Sequence, residues 1–118
     1  MEPYAEREAS ESFWILPLDS QHQLIGAGPT VITRGILNSS LVHPREVFRE
    51  ATAAAAAAIV LFHNHPSGDP APSDDDLLLT SRMLSAGMVM GIDVVDHIIL
   101  GDQRYCSLLE VGAIPQRS

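Results

Sequence analysis

The chain has 118 residues and a mass of 12.7 kDa, enough for one hydrophobic core but not for two. Hydrophobic residues at 46% and charged residues at 19% exclude a disordered chain, and the 5% aromatic content makes the core an aliphatic one. A net charge of -8 with only seven Lys and Arg argues against stand-alone nucleic-acid binding, because basic side chains that neutralise phosphates supply most of that affinity.

Residues 1–10 are polar, acidic and aperiodic, and read as a loose arm. Their Glu2, Glu6 and Glu8 are the opposite of a basic signal-peptide start. Phe13–Asp19 has strand composition, with Pro17 confining it to an edge, an end or a bulge. Gln21–Gln23 makes a turn, and Leu24–Thr33 reads as a second strand interrupted near Gly26 and Gly28. Asn38–Ser40 is a loop, after which Pro44 suits the first turn of a helix, where its missing N–H costs nothing. That helix is expected to run from Arg45 to Ala58, since Ala53–Ala58 is the strongest helix former repeated six times.

Ile59–Phe62 is a short apolar run of buried-strand character. A turn rich in Gly and Pro follows, and then a second helix over Asp74–Met90, weakened in its last turn by Gly87. Asp93–Leu100 has high β propensity, and Gly101-Asp102 signals a hairpin into Tyr105–Ser107. The longest apolar stretch, Ala53–Phe62, has ten residues and cannot span a membrane. Cys106 is the only cysteine, so no internal disulfide forms and a reducing cytoplasm is the expected location. About five strands with two helices predict an α/β layered domain over residues 11–118.

The chemistry concentrates after the third strand. If His63 and His65 extend it, the side-chain period of two puts both imidazoles on one face. Two such nitrogens with a carboxylate returning on the next element make a three-ligand site open on its fourth side. Asp74, Asp75 and Asp76 are rival carboxylates, with Asp69 in the loop a weaker one. Two histidines and a carboxylate also make the facial triad of non-haem iron enzymes. Ser73 and Asp76 form a Ser-x-x-Asp pair that capping of the second helix alone would explain. Asp96 and His97, adjacent on a strand, point to opposite faces, and His97 reads as a core histidine with its hydrogen bonds satisfied. Cys106 reads as a small buried hydrophobe, and His22 and His43 as surface or capping residues.

An upstream glutamate, His63-x-His65-Pro66, Ser73, and Asp76 with ten residues between it and His65 together resemble the signature of the JAMM (MPN-plus) metallohydrolases. The segment His63-Asn64-His65-Pro66-Ser67-Gly68-Asp69-Pro70, with Gly91-Ile92-Asp93, Asp96–Gly101 and Arg34–Phe48, is similar to the bacterial RadC branch. The resemblance covers about Glu11 to Gly112. It implies a cytidine-deaminase-like fold, a mixed β-sheet flanked by helices. It also implies zinc, held by His63, His65 and Asp76, with a pKa of bound water lowered toward ~7. Glu11, in a Glu-x-Phe context before the first core strand, is the implied general base, with Glu46 and Glu50 as runners-up. Ser73 would help stabilise an oxyanion.

The implied reaction is hydrolysis of an amide-like bond in a protein or peptide substrate, by a peptidase or isopeptidase. The alternative is an accessory or nuclease module in DNA repair or recombination, with the zinc serving DNA chemistry or structure. RadC relatives usually carry an N-terminal helix-hairpin-helix region that contacts DNA, which these 118 residues lack. Arg34, Arg45 and Arg49 are the residues from which a local basic patch would be built.

Overall fold

The computed structural model describes residues 11–36 and 41–115. The arm at 1–10 and the loop at 38–40 lie outside them. Among the described residues, five strands and two helices follow in the order β1 (Glu11–Leu18), β2 (Thr30–Ile36), α1 (Pro44–Ala53), β3 (Ala58–Asn64), α2 (Asp74–Met90), β4 (Asp93–Leu100) and β5 (Tyr105–Ser107). They form one mixed sheet of order β2-β1-β3-β4-β5, in which only β3 and β4 are parallel. A parallel pair needs a crossover, and α2 provides it.

The alternation of each strand decides the layers. Phe13 and Ile15 of β1, Ile59 and Leu61 of β3, and Val94 of β4 share one buried cluster with Val47, Phe48 and Ala51 of α1 and Leu79 and Met83 of α2. On the opposite face Leu18, Ala58 and Val60 gather the partly buried Leu16, Phe62, Val95 and Ile98. The fold is α/β, a mixed sheet flanked by two helices, as the composition and the resemblance imply.

Two predicted elements are corrected. The alanine run is not helix to its end: α1 stops at Ala53, Ala55 takes a left-handed φ of 58°, and Ala58 opens β3. A non-glycine residue in that conformation costs roughly 1–3 kcal/mol. Pairing β3 to β1 from Ala58–Leu18 onward outweighs both that cost and the helix propensity of alanine. The second strand begins at Thr30 rather than Leu24, because Gly26 (φ 77°) and Gly28 (φ 147°) turn the chain and leave Leu24 only an isolated bridge to Leu18. Pro17 sits at a strand end, beyond the last β1–β2 pair at Ile15–Thr30, so β1 is an interior strand of the sheet.

Candidate metal centre

The antiparallel pairing of Phe13 with His63 brings the start of β1 to the end of β3, and α2 begins beside that end. Glu11, His63, His65 and Asp76 converge there, each offering one ligand atom, all within 4.8 Å of one another. His63 lies in β3. His65 lies one residue beyond it, its N–H bonded to the Leu100 carbonyl at 2.9 Å, so the two rings stand 5.0 Å apart on the same face. The loop carrying His65 is pressed against the β4–β5 connection. Any side chain at Gly101 would collide with the Gly68 carbonyl and Pro70.

Asp76 enters from the first turn of α2. Its neighbours Asp74 and Asp75 are exposed, whereas Asp76 is 1% exposed. The helix starts with a capping box: the Asp76 N–H donates to Ser73 Oγ at 3.1 Å, and the Ser73 N–H donates to Asp76 Oδ2 at 2.8 Å. The Ser-x-x-Asp pair thus caps the helix and also aims a carboxylate that the helix dipole favours as an anion. Capping uses the Ser73 oxygen as an acceptor and leaves its hydroxyl proton for another partner.

The distances describe a compact donor set. His65 Nε2 is 2.8 Å from Asp76 Oδ2, and His63 Nε2 is 3.0 Å from Asp76 Oδ1. Glu11 Oε2 stands back, 3.9 Å from His63 Nε2 and 3.8 Å from His65 Nε2. His63 Nε2 and Glu11 Oε1 are buried without a hydrogen-bond partner. A polar atom buried in that state costs free energy unless something else satisfies it. Two imidazole nitrogens, the orphaned His63 Nε2 among them, and a carboxylate oxygen fit a divalent metal ion with an open position, next to a carboxylate that is not needed as a ligand.

Burial raises Glu11 above the ordinary carboxylate range, opposed by the charge of His63. The Asp76 hydrogen bond raises His65, with burial opposing it. Ser12, beside Glu11, donates its N–H to Asn64 Oδ1 at 2.8 Å, which ties the mouth of β1 to β3 where the β1–β2 register shifts.

Behind the donor set lies a part that the sequence reading did not assign. His63 Nδ1 is 2.8 Å from His97 Nε2, and His97 Nδ1 is 2.6 Å from Thr80 Oγ1. Thr80 in turn donates to the Asp76 carbonyl at 2.8 Å. His97 is the core histidine with satisfied hydrogen bonds that was expected, yet it also touches a candidate ligand. A signal for Thr80 was present in its spacing, four residues after Asp76 and so on the same helix face. Asp96 points away, holding the N–H groups of His97 and Leu109 and the Ser107 hydroxyl.

Of the other candidates, Asp69 accepts from His65 Nδ1 only through its backbone carbonyl, at 2.9 Å. Glu46 is exposed on α1, and Glu50 is 3.9 Å from Arg49. Neither belongs to the cluster. His43 caps α1 by accepting from the Arg45 N–H, and His22 is exposed. Cys106 is half-buried rather than buried, and burial pushes its thiol pKa up.

Burial, reinforced by the charge of His63, lowers the pKa of His97 to about 3. With a folded value near 3 and an unfolded value near 6.5, the unfolded chain binds the extra proton between those pH values. His97 by itself should therefore make the metal-free protein less stable as pH drops through this window, by at most about 1.4 kcal/mol per pH unit, while Glu11, raised above 4.5, contributes the opposite slope above that pH. His65, raised above 6.5, is protonated in both states there and adds no slope. Urea unfolding of wild type and His97→Gln at several pH values checks this, and the variant should show the shallower decline.

Among the described residues, no helix is long and apolar enough to cross a membrane. A family model described as "RadC-like JAB domain" matches residues 1–113. The UPF0758 protein of Methanosarcina barkeri is 44% identical over 114 residues, covering 97% of this chain and 49% of that protein. The UPF0758 proteins of Desulfitobacterium hafniense (strain Y51) and Bacillus cereus (strain AH187) are 48% and 52% identical over 104 residues, covering 88% of this chain and 45% of theirs. The chain spans about half the length of the curated relatives it matches.

Proposed function

Because the chain belongs to the RadC-like JAB domain family, we propose that it is a zinc-dependent hydrolase of the JAMM type that cleaves a peptide or isopeptide bond. The observation that carries this reading is the orphaned His63 Nε2 inside a buried His, His, Asp and Glu cluster. His63, His65 and Asp76 would hold the ion. A bound zinc supplies a Lewis acid and a water acidic enough to ionise near neutral pH.

The residues around it divide the remaining work. Glu11, set 3.8 to 3.9 Å from the imidazole nitrogens and beside the His, His, Asp set, takes the proton of the attacking water and returns it to the leaving amine. Its raised pKa suits a group that must gain and lose a proton near neutrality. Ser73, exposed at the rim, donates its hydroxyl proton to the oxyanion that forms on the substrate carbonyl. The test is turnover: zinc-loaded protein assayed on peptide, isopeptide-linked and nucleic-acid substrates, with chelator controls. Metal-dependent amide hydrolysis supports the reading. Metal binding with no cleavage of any of the three would favour an accessory module in DNA repair or recombination.

The nucleic-acid alternative is opposed by charge. At -8, with Arg34 on β2 and Arg45 and Arg49 on α1 as exposed cations, the chain should bind DNA weakly. Fluorescence anisotropy with single-stranded, duplex and branched DNA over a salt series measures this. Tight binding at physiological salt with a steep salt dependence would shift the reading toward a nuclease.

A further inference from the structure

We propose that Thr80 and His97 are positioning residues that lock His63 in its Nδ1–H tautomer and so keep the Nε2 lone pair turned toward the metal. The proposal rests on the metal-centre reading above. It follows from which atoms can only accept. The Asp76 carbonyl has no proton to give, so at 2.8 Å the Thr80 hydroxyl must donate to it. That single proton is then spent, and the same oxygen can only accept from His97 Nδ1 at 2.6 Å. His97 is therefore protonated on Nδ1, which leaves Nε2 as an acceptor. Only a protonated His63 Nδ1 satisfies it at 2.8 Å. The Nε2 of His63 is then bare, and it is the buried atom that faces Asp76 and Glu11 without a hydrogen bond.

The reverse order of protons is disfavoured. It would set two oxygen lone pairs against each other at 2.8 Å between Thr80 and Asp76. It would also put a hydrogen on His63 Nε2, where a metal must bind. The chain is wholly buried, with Thr80 at 2% exposure and both histidines at 0%, so water does not substitute for a missing link. Phe13 stacks on the His63 ring at 5.8 Å and meets His97 edge-on, which limits rotation of either imidazole. The chain also ties β3, β4 and α2 together behind the site, so one ligand's tautomer is set through the backbone of another ligand's residue. His65 is held differently: its Nδ1 donates to the Asp69 carbonyl, and its Nε2 meets Asp76 Oδ2 at 2.8 Å.

The test uses the whole chain loaded with zinc. In histidine nitrogen NMR, wild-type His97 should carry its proton on Nδ1; a proton on Nε2 would overturn the relay. Thr80→Val keeps the shape and removes the hydroxyl, and should weaken zinc binding about 10–100-fold in competition with a chromogenic chelator. Thr80→Ser should restore the affinity. A folded Thr80→Val protein with unchanged zinc affinity, or a Thr80→Ser protein as impaired as Thr80→Val, would also overturn it. Those failures leave the metal reading intact. Zinc retained in both His63→Ala and His65→Ala would instead refute the metal reading itself.

Discussion

Replacing His63 or His65 by alanine is expected to strip the protein of bound zinc while Asp76 and Glu11 remain in place. Each change removes one of three ligand atoms, a larger loss than the roughly 10–100-fold drop in affinity that follows removal of an outer hydrogen-bond partner. The two variants differ in what else they disturb. His63 is fully buried against Phe13 and His97, so His63→Ala opens a cavity and leaves His97 Nε2 without its donor, at about 1–3 kcal/mol for the unsatisfied group alone. The His65 side chain is 12% exposed and its ring bonds only to a loop carbonyl and to Asp76, so His65→Ala isolates the loss of the ligand. Elemental analysis after dialysis, paired with circular dichroism and thermal unfolding, separates metal loss from unfolding. Full zinc content in both folded variants would rule out the assignment.

The site was more legible in the sequence than the boundaries around it. His63 and His65 share a face because β3 continues through them, and a period of two is a local property that needs no tertiary information. The capping box that aims Asp76 is equally local, and the bounds of α2 and β4 match the expected ones. What failed was any reading that depended on which strand pairs with which. Six alanines in a row state a helix preference, yet the pairing of Leu18 with Ala58 claims the last of them for a strand. The stretch from Leu24 looked like strand by composition, and only the left-handed glycines show where the ladder begins. Thr80 and His97 lie seventeen residues apart on a helix and a strand. No spacing rule joins them; their contact exists only because β4 lies parallel to β3 and α2 crosses between the two.

Glu11→Gln should abolish hydrolysis while leaving zinc and fold unchanged. The amide fills the space of the carboxylate but cannot accept and return a proton, so the loss should fall on kcat, by roughly 100- to 10,000-fold, the usual contribution of a positioned acid–base group. Zinc content should persist because His63, His65 and Asp76 already supply the three protein ligands of a catalytic zinc site, so Glu11 is not needed to hold the ion. Stability should hold or rise, since burial opposes the ionised form of Glu11 and a neutral side chain removes that opposition. Glu46→Gln is the control: Glu46 is exposed on α1, outside the cluster, and its loss should leave turnover alone. Activity that survives Glu11→Gln and disappears with Glu46→Gln would move the base from the mouth of β1 to the first helix. Zinc lost in Glu11→Gln would make Glu11 a ligand, with the proton then carried by another group.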